Sequence, residues 1–145
     1  MLRSVQFPMR TLSENAYRRG HWSTHAKTTK QQRALVTMIL RSQMSTPPLS
    51  VMRGEQCIAN AFEVRIVRRA ERTLDTDNLL GACKGARDSV AAWLGIDDGA
   101  SCVVWTYDQE KIRRGTYEVR IEVRDLAHGD DEVKIVGAKA RRRSA

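Results

Sequence analysis

The chain has few cysteines, and Cys57, Cys83 and Cys102 are odd in number and form no CxxC pair. Neither a disulfide framework nor a cysteine zinc site is indicated, and all three are expected to be buried thiols in a reducing compartment. Long apolar runs are also missing. The longest, Ala34 to Leu40, is broken by Thr37, far short of the roughly 20 residues a membrane-crossing helix needs. Arg3, Gln6 and Arg10 interrupt the N-terminal stretch, so no secretory leader and a cytoplasmic location are expected. Acids are scarce at one end: residues 1–43 carry Arg3, Arg10, Arg18, Arg19, Lys27, Lys30, Arg33 and Arg41 against Glu14 alone.

What is present is ordinary globular composition. The chain has 145 residues, 41% of them apolar and 29% charged, which fits one domain and excludes collagen-like, mucin-like and wholly disordered classes. The net charge is +8, and a basic surface attracts polyanions, nucleic acid being the commonest. Residues 1–125 are expected to form the domain. Residues 126–145, ending in Lys139, Arg141, Arg142 and Arg143, are expected to be a basic flexible tail.

Periodicity predicts a small α/β (α+β) domain, a mixed sheet with helices packed on it, in the order weak strand, helix, strand, helix, strand, strand. The first helix is expected from about Thr28, with Ala34, Leu35, Met38 and Ile39 on its apolar face and Pro47 and Pro48 beyond its end. Ile58, Phe62, Val64 and Ile66 alternate with charged residues as in a half-buried strand. A second helix is expected from Asn78 to Leu94, with Leu79, Cys83, Ala86, Val90 and Trp93 inward and Asp77, Gly81, Lys84 and Asp88 outward. Cys102 to Tyr107 and Tyr117 to Val123 predict two strands joined by a basic hairpin loop over Asp108 to Gly115.

The informative acids are Asp75 and Asp77, just ahead of the second helix, and Asp97 and Asp98 just beyond it. Carboxylates at i and i+2 in an extended segment face one side and suit magnesium, which takes oxygen ligands and keeps several waters. Such an ion activates water against a phosphodiester, and Lys84 would stabilise charge developing on the phosphoryl group. A purely structural reading also stands: Asp77 or Asn78 caps the helix, Asp98-Gly99 makes a turn, and Lys84 pairs with Asp88.

Asp75-Thr76-Asp77-Asn78-Leu79, the helical Lys and Asp, Trp93-Leu94-Gly95-Ile96-Asp97-Asp98-Gly99 and the W-x-Y-x-Q-x-K run from Trp105 to Lys111 together resemble the RusA family of phage and prophage Holliday junction resolvases. The similarity extends over residues 10–124, with Asn15, Tyr17 and Gly20-His21-Trp22 as its N-terminal part. It implies a magnesium-dependent endonuclease, with manganese as a possible substitute, acting as a homodimer on four-way DNA junctions in recombination and repair. It implies a phage or prophage protein at work in a bacterial host's cytoplasm. The family's aspartates fall on Asp75, Asp77 and Asp98. Its catalytic lysine falls four residues after the second aspartate, where this chain has Gly81, and Lys84 is the candidate in its place. Gathering three acids predicts activity that falls at low pH as protons displace metal.

A distance follows from the second helix. About 17 helical residues separate its ends by roughly 25 Å, and four extended residues recover at most about 13 Å. Asp98 would remain roughly 12 Å from Asp77, too far for shared ions with ligands near 2.1 Å. Either the helix breaks near Gly81 or Gly85, or Asp98 comes from the second subunit of a two-fold dimer.

Further residues have two readings each. Arg68, Arg69 and Arg72 precede the D-x-D and are candidates to grip DNA phosphates, as are Lys111, Arg113 and Arg114, with solvated loops as the alternative. Trp22 either stacks on an unpaired base or enters the core, which is the expected place of Trp93. His21 and His25 have helical zinc spacing but no third ligand nearby. Outside nuclease chemistry on junctions, flaps or duplex, the remaining class is a non-catalytic DNA-binding protein.

Overall fold

The computed structural model describes residues 2–11, 22–44, 52–53, 56–57, 61–97 and 99–126, with the backbone alone at 22–25, 52–53 and 56–57. The elements are β1 (Leu2–Pro8), α1 (Trp22–Gln43), β2 (Met52–Arg53), β3 (Gln56–Cys57), β4 (Phe62–Ala70), α2 (Thr76–Leu94), β5 (Val103–Lys111) and β6 (Glu118–Asp125). The fold is α+β. A mixed sheet has the order β1-β6-β4-β5, and β2 pairs with β3. β4 and β5 are parallel, with α2 as their crossover, and β6 is antiparallel to both β4 and β1. No helix among the described residues is long and apolar enough to cross a membrane.

The expected hairpin between the last two strands is not formed. Asp108 to Lys111 belong to β5, and β6 sits beyond β4 rather than beside β5. The connection must step over one strand, about 10 Å at normal strand spacing, and residues 112–117 do this through a turn closed by Thr116 N–H on the Arg113 carbonyl at 3.1 Å. Gly115 takes φ 78° in that turn, a backbone region most side chains avoid. Alternation in a sequence identifies a half-buried strand but does not choose its neighbour.

Register places Val5, Phe7, Phe62, Val64, Ile66, Val103, Trp105, Val119, Ile121 and Val123 on one face, packed with the helices in a single core. Each large apolar side chain buried there stabilises the fold by about 1.5–3 kcal/mol. Trp93 belongs to this core as expected, and Cys83 and Cys102 are buried. Leu126 closes the domain, its N–H donating to the Ala61 carbonyl at 2.8 Å.

The opposite sheet face carries no described helix. It is a lattice of ion pairs in which Arg65, Arg69 and Arg120 engage Asp108, Glu110, Glu118 and Glu122. Arg120 reaches Glu110 at 2.6 Å and Glu122 at 3.0 Å, and Arg69 reaches Glu118 at 3.0 Å. Hydrogen bonds from Arg65 and Arg120 hold Asp108 and Glu110, respectively, below the usual carboxylate range. Val67 is buried on this face, in register with Asp108 and Arg120. The half-buried strand expected around Val64 is thus covered on both sides.

The helices differ from expectation at their starts. α1 begins at Trp22, about two turns before Thr28, and it buries Gln32, Val36 and Leu40, with Leu35 and Ile39 partly covered. Ala34 and Met38, expected inward, are exposed, because α2 and the sheet set the phase of the buried stripe. α2 begins at Thr76 with Asp75 as its N-cap, in place of Asp77 or Asn78. It ends in a Schellman motif: Gly95, at φ 72°, donates to Ala92 O at 3.1 Å, and Ile96 donates to Ala91 O at 3.0 Å.

Candidate functional site

The site is at the C-terminal ends of the two parallel strands, where ligands of α/β units commonly bind. Ala70 and Lys111 end β4 and β5 in register, and the loop from Glu71 to Asp75 climbs from that edge to the first turn of α2. Three contacts fasten it. The Arg68 guanidinium donates to the Arg72 carbonyl at 2.7 Å. The Gln109 side chain accepts from Leu74 N–H at 2.8 Å and donates to Leu74 O at 2.7 Å. Glu71 accepts from Gly115 N–H at 3.0 Å, joining the loop to the β5–β6 connection.

This arrangement exposes Asp75 and Asp77 at the edge. Asp75 accepts from the backbone N–H of Asn78 at 2.9 Å and from its side-chain amide with both oxygens at 3.0 Å. These bonds, the backbone one first, hold its carboxyl below the usual range. The Asp77 side chain has no hydrogen bond or ion pair among the described residues. Lys84 is exposed seven residues further along α2, about 20° short of two full turns and so on nearly the same face, about 10 Å along the axis. Gly81 lies between them on that face without a side chain.

α2 is continuous through Gly81 and Gly85 for 19 residues, about 28 Å, so the helix does not fold back to bring its two ends together. Asp97 lies at the far end, in a turn where Ala100 N–H donates to its carbonyl at 2.9 Å and Gly99 N–H to its Oδ1 at 3.4 Å. Asp98 lies outside the described residues. Among the described residues no three His, Cys, Asp or Glu side chains gather as a metal-holding group. Asp75 and Asp77 nevertheless offer the hard carboxylate oxygens that magnesium takes beside its waters.

The candidate phosphate-gripping cations divide sharply. Arg72, Lys111, Arg113 and Arg114 are exposed around this edge. Arg68 is not available to DNA: it is 7% exposed, with Nε donating to Thr11 Oγ1 at 3.1 Å, and burial lowers its pKa from the usual arginine value. Arg69 is held in the ion-pair lattice of the opposite face by Glu110 and Glu118. Both were candidates because the sequence places them just before the D-x-D, but the strand's alternation turns one into the core and the other to the far side. The Lys84–Asp88 pair is not made either, since Asp88 takes Arg33 of α1 at 2.6 Å. The side chains of Trp22 and His25, and all of His21, lie outside the described residues. In the sequence Gln109 is one member of the W-x-Y-x-Q-x-K run; its place at the end of the inward row Val103, Trp105, Tyr107 is the signal that a polar group is needed there.

No family model matches the chain, and no curated protein does.

Proposed function

We propose that this chain is a magnesium-dependent endonuclease of RusA type that cleaves four-way DNA junctions as a homodimer. The observation that supports this reading most is that Asp75 and Asp77, at the start of α2, and the cations Arg72, Lys111, Arg113 and Arg114, in the loops and strand end at the same end of the sheet, are all exposed. Carboxylates on a surface meant only to attract DNA would weaken it, whereas beside a metal they draw the scissile phosphate in. The ion, when bound, polarises the phosphorus and activates water. Asp75 and Asp77 hold it, with Asp75 oriented by Asn78. Lys84 lies along the same helix face to offset negative charge on the phosphoryl oxygens, and the edge arginines fix the phosphates on either side. The opposite face is the poorer docking side, because Arg65, Arg69 and Arg120 are already neutralised there.

The unbroken length of α2 favours a site completed across the dimer, with Asp98 of one subunit beside Asp75 and Asp77 of the other. Mixing Asp75→Asn chains with Asp98→Asn chains tests this. A shared site recovers part of the cleavage through one intact cluster, and an inactive mixture contradicts sharing. The activity itself is tested with magnesium on a synthetic four-way junction beside linear duplex. Cleavage confined to the junction supports the proposal; equal cleavage of both points to a different metal nuclease, and binding without cleavage to a DNA-binding protein.

A further inference from the structure

The inward face of β4 and β5 is apolar until its last rungs. Val64 and Trp105 are register partners, then Ile66 and Tyr107, and then Arg68 and Gln109. At this rung, next to the strand ends, two polar side chains stand where packing alone would ask for apolar ones. Both reach the Glu71–Asp75 loop: Arg68 holds the Arg72 carbonyl, and Gln109 holds Leu74 by both its N–H and its C=O. The Gln109 amide thus imitates one rung of a β-ladder and fixes the peptide planes on both sides of Leu74, the residue directly before Asp75. A hydrophobe here would fill the space but leave both Leu74 groups without that partner.

We propose that Gln109 is a positioning residue for the acidic site: by clamping Leu74 it sets where Asp75 presents its carboxylate to a divalent cation. This rests on the metal-site reading above. Partners one step removed from a metal typically change affinity by about 10–100-fold when lost. Gln109 acts at that distance, through the backbone instead of through a ligand side chain.

The test uses the full chain with manganese alone as probe, followed by loss of the free-ion electron paramagnetic resonance signal. Asp75→Asn supplies the blank. Gln109→Leu keeps the size and removes both hydrogen bonds, while Gln109→Glu keeps the acceptor for Leu74 N–H and sets a carboxylate against the Leu74 carbonyl. The expected result is manganese affinity weakened about tenfold or more in Gln109→Leu and in Gln109→Glu, with faster amide exchange at Leu74. Both proteins should melt cooperatively, and if Gln109→Leu does not fold, Gln109→Glu gives the same reading. Affinity equal to the unaltered protein in a folded Gln109 variant overturns the positioning role alone. No Asp75-dependent manganese binding in the unaltered protein overturns the metal site, and the positioning role with it.

Discussion

Asn78 grips both carboxylate oxygens of Asp75, its backbone N–H at 2.9 Å on Oδ1 and its side-chain amide at 3.0 Å on Oδ1 and Oδ2. One acid therefore caps α2 and stands in the candidate site. Capping and metal binding need not exclude each other, since an ionised carboxylate has about four acceptor sites.

A titration follows from that grip. Asp75 should ionise below its usual 3.8, so the cap's contribution to stability is complete above the unfolded value and disappears as pH falls through the depressed folded one. Following the Asp75 carboxyl carbon by NMR checks this. Asn78→Ala keeps the backbone N–H, the larger cause, and removes the side-chain amide, so the titration should move upward only in part; an unchanged midpoint would show that the amide does not contribute.

The two kinds of arginine should separate in mutagenesis. Arg68→Met leaves the Arg72 carbonyl and the Thr11 hydroxyl without their donor and should cost about 1–3 kcal/mol in denaturant unfolding. Arg113→Ala and Arg114→Ala should each change stability by less than about 0.5 kcal/mol. If both contact phosphates, their joint removal should flatten the log-affinity against log-salt slope for a junction by about 1.8. The reverse pattern would exchange their roles.

Gly85 sits inside α2 where, among the described residues, an added Cβ would meet Gln32 Oε1 at 3.6 Å, an ordinary contact. Gly85→Ala should therefore stabilise the fold by about 0.5–1 kcal/mol through helix propensity. A loss of stability would mean that α1 and α2 pack more closely there than this spacing.

Cys83 is buried, and desolvation pushes its thiol up to about 12. Native protein treated with iodoacetamide at pH 8 should leave Cys83 unmodified, with labelling only after denaturation. Peptide mapping decides it, and rapid native labelling would show local opening of α2.

The inward stripe of α2 and the strand around Val64 were legible because apolar spacing reports which side is buried. The strand neighbours were not, because pairing β6 with β4 instead of β5 depends on the path of residues 112–117. That same hidden choice decided the fate of Arg68 and Arg69. Their charge reads as phosphate contact in a linear sequence, yet a central strand sends one into the core and the other to Glu110 and Glu118. At the candidate site, Asp75 and Asp77 were visible from their position at the start of the helix, but their i, i+2 spacing suggested an extended segment, whereas Asp75 alone is extended and Asp77 lies in the first turn of α2. The clamp from Gln109 to Leu74 spans 35 residues, and only the parallel register of β4 and β5 brings its two halves together. The early start of α1 was hidden because Trp22 to Lys27 have no apolar period.

The most direct measurement compares the unaltered protein with Asp77→Asn on a four-way junction, cleavage being read with magnesium and binding without it. The Asp77 side chain has no hydrogen bond or ion pair among the described residues, so its loss should leave the fold and the binding intact. Cleavage should fall by more than about a hundredfold, since indirect metal partners alone account for 10–100-fold. Undiminished cleavage by Asp77→Asn, or none by the unaltered protein, would contradict the proposed metal nuclease.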